Sequence, residues 1–194
     1  MVRVALIGLV FLSLGVAFAD QAPNPRAAMD ADRAQAMARL SFMSGVWIGT
    51  AHGVAPNGQP YEVAQTERMG PMLGGDIIVI EGRGYAKDGT VVFNAFGVAS
   101  YNVFTKAYEM RSYAQGFGGT FPLRLTADGF VWETPAGPGA ITRFTATVGN
   151  GVWREVGERI AEGQPPVRIF EMTLKRVGET DWPAGNPVTP QQAR

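Results

Sequence analysis

The sequence predicts an all-β fold: an antiparallel up-and-down β-barrel of about ten strands, with one short N-terminal helix. Three observations predict it. From residue 46 onward helical spacing disappears, and short runs rich in Val, Ile, Thr and aromatic residues take its place. Turn signals divide these runs about every 8–12 residues, the pattern of a sandwich or barrel. The clearest are Pro56-Asn57-Gly58, Lys87-Asp88-Gly89, Ala127-Asp128-Gly129, Gly137-Pro138-Gly139 and Gly149-Asn150-Gly151. Third, the chain has no Cys, so no disulfide staples it and stability must come from core burial. A long meander gains most by closing on itself, because closure removes both exposed edges.

Taken in order, the elements begin with a leader. Arg3 precedes an apolar run over residues 4–16, and Ala17-Phe18-Ala19 forms a small-x-small pattern before Asp20. This predicts a signal peptide over 1–19 cleaved after Ala19, and a periplasmic or secreted protein. The run is shorter than the about 20 apolar residues a spanning helix needs, so no integral membrane segment is expected after cleavage. Residues 20–26, with Pro23 and Pro25, read as a linker. Residues 27–40 carry Met29, Arg33, Met37 and Leu40 at helical spacing and predict a short amphipathic helix. Its Met stripe reads as a lid packed on the domain rather than a cofactor contact. The expected strands are 46–54, 61–69, 76–86, 90–101, 107–114, 120–126, 130–134, 140–148, 152–161 and 167–177. Together 27–177 form one barrel domain with a capping helix. Residues 178–194, with Pro183, Pro187 and Pro190, read as a flexible tail.

Composition narrows the function classes. With 46% hydrophobic and 18% charged residues the chain is globular rather than disordered. It holds 17 basic and 17 acidic residues, so no excess charge draws nucleic acid or anionic lipid. The one histidine, His52, has no Cys or second His with which to build a zinc site, and a His-based nucleophile is equally unsupported. A strand-end His is an exposed surface residue by default, although a single axial ligand to haem is formally open. Asp30 and Asp32 lie two apart on a helix and point in different directions, so no metal cluster is expected there. Gly82-Arg83-Gly84 and Gly116-Phe117-Gly118-Gly119 do not open a helix after a parallel strand, the context that lets such loops hold phosphate. Gly49, Gly74, Gly75, Gly82, Gly84 and Gly97 are expected instead to mark bulges and bends.

The strongest local signal is the stretch from Leu40 to Gly49, in which an apolar helix end runs into Gly45-Val46-Trp47 at the head of the first strand. The glycine lets the chain turn at the barrel end and the indole plugs it. Gly45-x-Trp47 resembles the Gly-x-Trp of lipocalins and other calycins. The stretch 40–176 is similar to the bacterial family called domain of unknown function fifteen-seventy-nine, whose fold is similar to nitrobindin-like barrels. The matching pieces are Phe42-x-x-Gly45-x-Trp47, Met72-Leu73-Gly74-Gly75, and Gly97-x-x-x-Tyr101-Asn102-x-x-Thr105-Lys106-x-Tyr108. The strand Phe170-Glu171-Met172-Thr173-Leu174-Lys175-Arg176 completes them. The resemblance implies a calycin-like barrel with an interior ligand. Haem-binding relatives carry a proximal His late in the domain; this chain has none there, so no haem or other cofactor is expected.

Strand parity indicates what lines that interior. Phe170, Met172 and Leu174 alternate with Glu171, Thr173 and Lys175, and the apolar set is turned inward; Trp47, Tyr108 and Met110 share the same space. Two strands resist this assignment, because either parity buries a polar group in Ile141–Thr145 and in Trp153–Gly157. Arg143 and Glu155, on adjacent strands, are candidates for a pair inside the cavity that anchors a ligand head group, a surface salt bridge being the alternative. Arg83 and Arg111 are weaker candidates of the same kind.

The expected ligand-binding set is therefore Trp47, Tyr108, Met110, Arg143, Glu155, Phe170 and Met172, with no catalytic or metal-ligating set. It suits a small hydrophobic or amphipathic molecule, with a carboxylate or other polar end. Two alternatives stand beside this one. One is an isomerase or hydrolase using Glu155 or Glu67 as base; the other is an interaction module whose core is filled by its own side chains. The sequence does not speak to oligomeric state.

Overall fold

A computed structural model describes residues 24–55 and 57–183. The expected leader with its cleavage after Ala19, the first part of the linker and the far end of the tail lie outside the described residues. Ten antiparallel strands form a closed barrel in the order β1-β10-β9-β8-β7-β6-β5-β4-β3-β2, so each strand pairs with its chain neighbours and the first meets the last. They are β1 Gly45–Val54, β2 Pro60–Met72, β3 Ile77–Tyr85, β4 Val91–Asn102 and β5 Ala107–Ala114. The second half comprises β6 Phe117–Leu125, β7 Gly129–Pro135, β8 Ala140–Gly149, β9 Val152–Ala161 and β10 Val167–Gly178. The up-and-down barrel with one helix is as the sequence predicts. Among the described residues no helix is long and apolar enough to cross a membrane.

The helix α1, Pro25–Ala38, starts two residues before its expected boundary. Residues 25 and 26 therefore belong to the helix and not to a linker. Proline is favoured at the first helical position, where the missing N–H has no partner to lose, and the Asn24 side chain caps the end by accepting from the Arg26 N–H at 3.0 Å. The helix is tied to one end of the barrel. Arg33 donates to Asp76 at 2.7 Å, Lys106 pairs with Asp32 at 2.6 Å, and the Tyr108 hydroxyl donates to the Ala36 carbonyl at 2.8 Å. A 3-10 turn, Ser41–Met43, then drops Leu40 and Met43 into the barrel end, where both are fully buried.

Gly45 is the hinge after this turn. Its φ of 135° is open to glycine, and a Cβ there would meet the Arg176 guanidinium at 2.7 Å and the Gly178 carbonyl at 2.9 Å. Two residues on, Trp47 donates its indole N–H to the Met43 carbonyl at 3.0 Å and stands edge-on to Trp153, which stands edge-on to Phe130. These rings, with Met69, Ile78, Leu123 and Leu174, make the main core. It fills the end of the barrel that the helix covers.

The glycine expectation needs correcting. Register shifts occur at Val46/Trp47, Gly84/Tyr85 and Arg168/Phe170, so of the six expected bulge glycines only Gly84 adjoins one. Gly74 and Gly75 sit in the turn between β2 and β3. Gly49 and Gly82 lie in unbroken ladders and serve close approach instead: a Cβ on Gly49 would collide with the Thr173 carbonyl of β10, and one on Gly82 would meet the Glu67 carboxylate. The tail is also less free than expected at its start. Arg176 pairs with Glu179 at 2.7 Å, and the Arg68 guanidinium lies 4.6 Å from the centre of the Trp182 ring.

Candidate functional site

Because β1 runs away from the helix, the hairpins β1–β2, β3–β4, β5–β6, β7–β8 and β9–β10 all lie at the opposite end. In the half of the interior nearer to them, inward-facing side chains lose their close cover. Ser112, Phe121, Trp132, Phe144 and Phe170 are only partly buried, whereas Trp47, Phe130, Met43 and Leu174 are sealed. The rings form a continuous string: Phe121 against Trp132 at 6.1 Å, Trp132 stacked on Phe144 at 4.6 Å, and Phe144 edge-on to Phe170 at 5.9 Å. Gly157 makes room for it, since a Cβ there would meet Phe144 at 2.9 Å and Phe170 at 3.0 Å. The partly accessible side chains and the aromatic string occupy the same half.

Three polar side chains point into the interior where this half meets the filled one, from β2 and from β9, which are separated in the barrel by β1 and β10. Glu155 on β9, opposite Met172 and Ala146 in the ladders, is buried. Its Oε1 accepts from the Trp132 indole at 3.0 Å and its Oε2 from the Trp153 indole at 3.2 Å. Two N–H donors on separate oxygens fix the carboxylate plane. On β2, Gln65 is buried and donates to Glu67 Oε1 at 2.8 Å. Glu67 is partly accessible, and no donor among the described residues reaches its Oε2. Neither carboxylate has an ion-pair partner among the described residues.

The electrostatics follow from this placement. Loss of solvation pushes the Glu67 carboxyl up to about 8; the Gln65 hydrogen bond opposes that, and the negative charges of Glu155 and Glu81 add to it. Burial likewise raises Glu155, against the pull of its two indole donors. A carboxyl that keeps its proton near neutrality beside one held by two N–H donors can bind a polar group or move a proton.

The expected site residues separate into three groups. Glu155, Phe170 and Met172 point inward, Met172 within the buried core and Phe170 at its partly accessible margin. Trp47, Tyr108 and Met110 point inward but into the helix-covered core, where Tyr108 is engaged by Ala36. Arg143 does not face the interior. Its alternation partners Thr142 and Phe144 do, and Arg143 pairs on the outer wall with Glu133 at 2.8 Å. Of the two readings of Arg143, the surface salt bridge is the one that forms; an interior pair with Glu155 does not, because the two have opposite parity: Arg143 is level with Glu158 and Glu155 with Ala146. Arg83 and Arg111 are on the outer face as well, lining a shallow concavity of about 870 Å³ over β3–β6 with Phe96 and Tyr113. His52 lies on the outer wall, 3.9 Å from Glu171. Sequence reasoning left Gln65 and Trp132 out of the site. Alternation of Val63, Gln65, Glu67 and Met69 on one strand was the available signal.

No protein-family model matches the chain, and no curated protein matches it. Among solved structures, the crystal structure of Rv2717c from M. tuberculosis is similar, with a TM-score of 0.57 and 17% identity over 75% of this chain and 99% of that one. At that identity the likeness concerns the barrel fold alone.

Proposed function

We propose that this barrel binds a small, mostly apolar molecule in the half of its interior away from the helix, with the polar end of the ligand at Glu67, Gln65 and Glu155. One observation carries the reading: two carboxylates and an amide stand inside an aromatic-walled barrel, where a self-filled core would hold apolar side chains. Burying such groups costs several kcal/mol unless something is gained. In this reading the protein is exported, with cleavage after Ala19, and belongs with the domain-of-unknown-function family its Gly45-x-Trp47 and closing-strand motifs resemble.

Native mass spectrometry of the protein purified from its own host is expected to show a bound small molecule. Thermal-shift screening is expected to find stabilisation by neutral hydrophobic probes. A protein that carries nothing and responds to no probe ends the proposal.

The proton-holding Glu67 beside Glu155 favours a second reading, acid–base catalysis on the bound molecule. Glu155→Gln separates the two. Turnover lost with affinity kept identifies an enzyme, and unchanged chemistry removes the catalytic reading.

A further inference from the structure

The charges on the two sides of the barrel wall are arranged in opposite ways. Outside, each of three glutamates takes two arginines: Glu81 with Arg68 and Arg83, Glu133 with Arg124 and Arg143, Glu171 with Arg154 and Arg168. Inside, Glu67 and Glu155 take none, and the only buried polar side chains among the described residues are Gln65, Thr142 and Glu155. Arg159 has the same inward parity as Glu155 and is level with buried Thr142, but at the β9–β10 hairpin end it is exposed and pairs with neither carboxylate. Both Glu155 oxygens accept from N–H groups, an arrangement that favours the ionised form against the burial that opposes it, yet those donors are neutral indoles. A negative charge held away from water with neutral donors alone is uncompensated, and the missing element is a positive charge.

We infer that the interior takes a small organic cation, an ammonium group on an apolar body, with the charge between Glu155 and Glu67 Oε2 and the body along Trp132, Phe144 and Phe170. The inference rests on the carrier reading and names its ligand class. Aromatic walls suit it twice, since they desolvate the apolar body and tolerate a cation against their faces. A carboxylate-ended ligand, by contrast, would bring a third negative group toward two. A cation arriving beside Glu67 also drives that carboxyl to ionise, so its proton leaves to solvent as the ligand binds. The groups acting on that proton are Gln65 on the same strand, Glu155 on β9 and Glu81 on β3.

Calorimetric titration of the full-length protein with 2-phenylethylammonium, 2-phenylethanol and 3-phenylpropanoate tests this. The ammonium is expected to bind about tenfold or more tighter than the alcohol, and the propanoate weakest. Near pH 7, ammonium heats are expected to vary with the ionisation enthalpy of the buffer, reporting proton release. Glu155→Gln, or Glu67→Gln if the first does not fold, is expected to bring ammonium and alcohol to within about twofold while alcohol binding persists. Alcohol or propanoate binding as tightly as the ammonium overturns the inference and leaves the carrier standing. Silence from all three overturns it too; if the neutral dye N-phenyl-1-naphthylamine is also silent, the carrier reading falls with it.

Discussion

The two halves of the barrel interior are built from the same alternating strands and do opposite things with them. Under the helix, large apolar side chains interlock until Leu40, Met43 and Leu174 retain no accessible surface. Toward the far hairpins, where two of the three register shifts lie, glycines at 82 and 157 leave room for the Glu67 carboxylate and for the Phe144 and Phe170 rings. Trp153 joins the two halves, packing on Trp47 below and donating to Glu155 above. Closure of the sheet thus requires only one filled end. The other end is free to carry groups that a self-sufficient core would reject.

The most severe way to break this contrast is to remove the plug. Trp47→Ala deletes a fully buried indole and its hydrogen bond to Met43, and is expected to cost about 3–5 kcal/mol, read as a large fall in Tm and in the urea midpoint. Phe170→Ala, in the open half, is expected to cost clearly less, because its ring is already partly accessible. Equal losses would mean that both halves are packed alike.

Next in size is Gly82→Ala. The new methyl would sit 2.7 Å and 2.8 Å from the two Glu67 oxygens and displace the carboxylate. The expected cost is about 1–2 kcal/mol in stability, accompanied by weaker binding of hydrophobic probes in the thermal-shift assay. A variant that binds probes unchanged would place the ligand elsewhere.

The third test is pH. Glu67 in the folded protein titrates near 8, well above the ordinary 4.5, so between these values the folded state holds a proton that the unfolded chain releases. Stability is therefore expected to fall as pH rises through 4.5 to 8, at up to roughly 1.4 kcal/mol per pH unit for one proton, and to level off above. Glu155, also raised, adds to the same slope, whereas Glu133 and Glu171, lowered by their arginines, act only at acid pH. Urea melts across this range are expected to show a shallower slope in Glu67→Gln than in the wild type. An unchanged slope would mean that Glu67 is hydrated and ordinary.

Most of the fold was legible because period-two alternation and turn residues act locally. The β5 and β9 bounds match the expected ranges, and the others differ at their ends by a few residues. Of the helix's Met stripe, Met37 is buried in the core together with strand residues. What was not legible depends on partners distant in sequence. Glu155 is stabilised by Trp132, twenty-three positions away and across an intervening strand, and no spacing rule encodes that bond. Glycines misled because a glycine needed for a bulge and one needed for a neighbour's side chain look the same in sequence. Pro25 misled because proline in a linker and proline at a helix start do too.

The smallest effect is expected from Arg143→Ala, and it isolates the wall's two faces. From the sequence, Arg143 could have been the interior partner of Glu155; in the fold it is on the outer surface, sharing Glu133 Oε1 with Arg124. Exposed pairs of this kind contribute about 0–1 kcal/mol, and Arg124 remains to pair Glu133 after the substitution. The variant should therefore lose under 1 kcal/mol and bind interior probes with wild-type affinity, as measured by urea melts and dye titration. A loss of probe affinity would mean that the guanidinium reaches the interior ligand after all. The parity that places Glu155 inside and Arg143 outside would then be wrong, and with it the account of an interior that holds negative groups without a cation of its own.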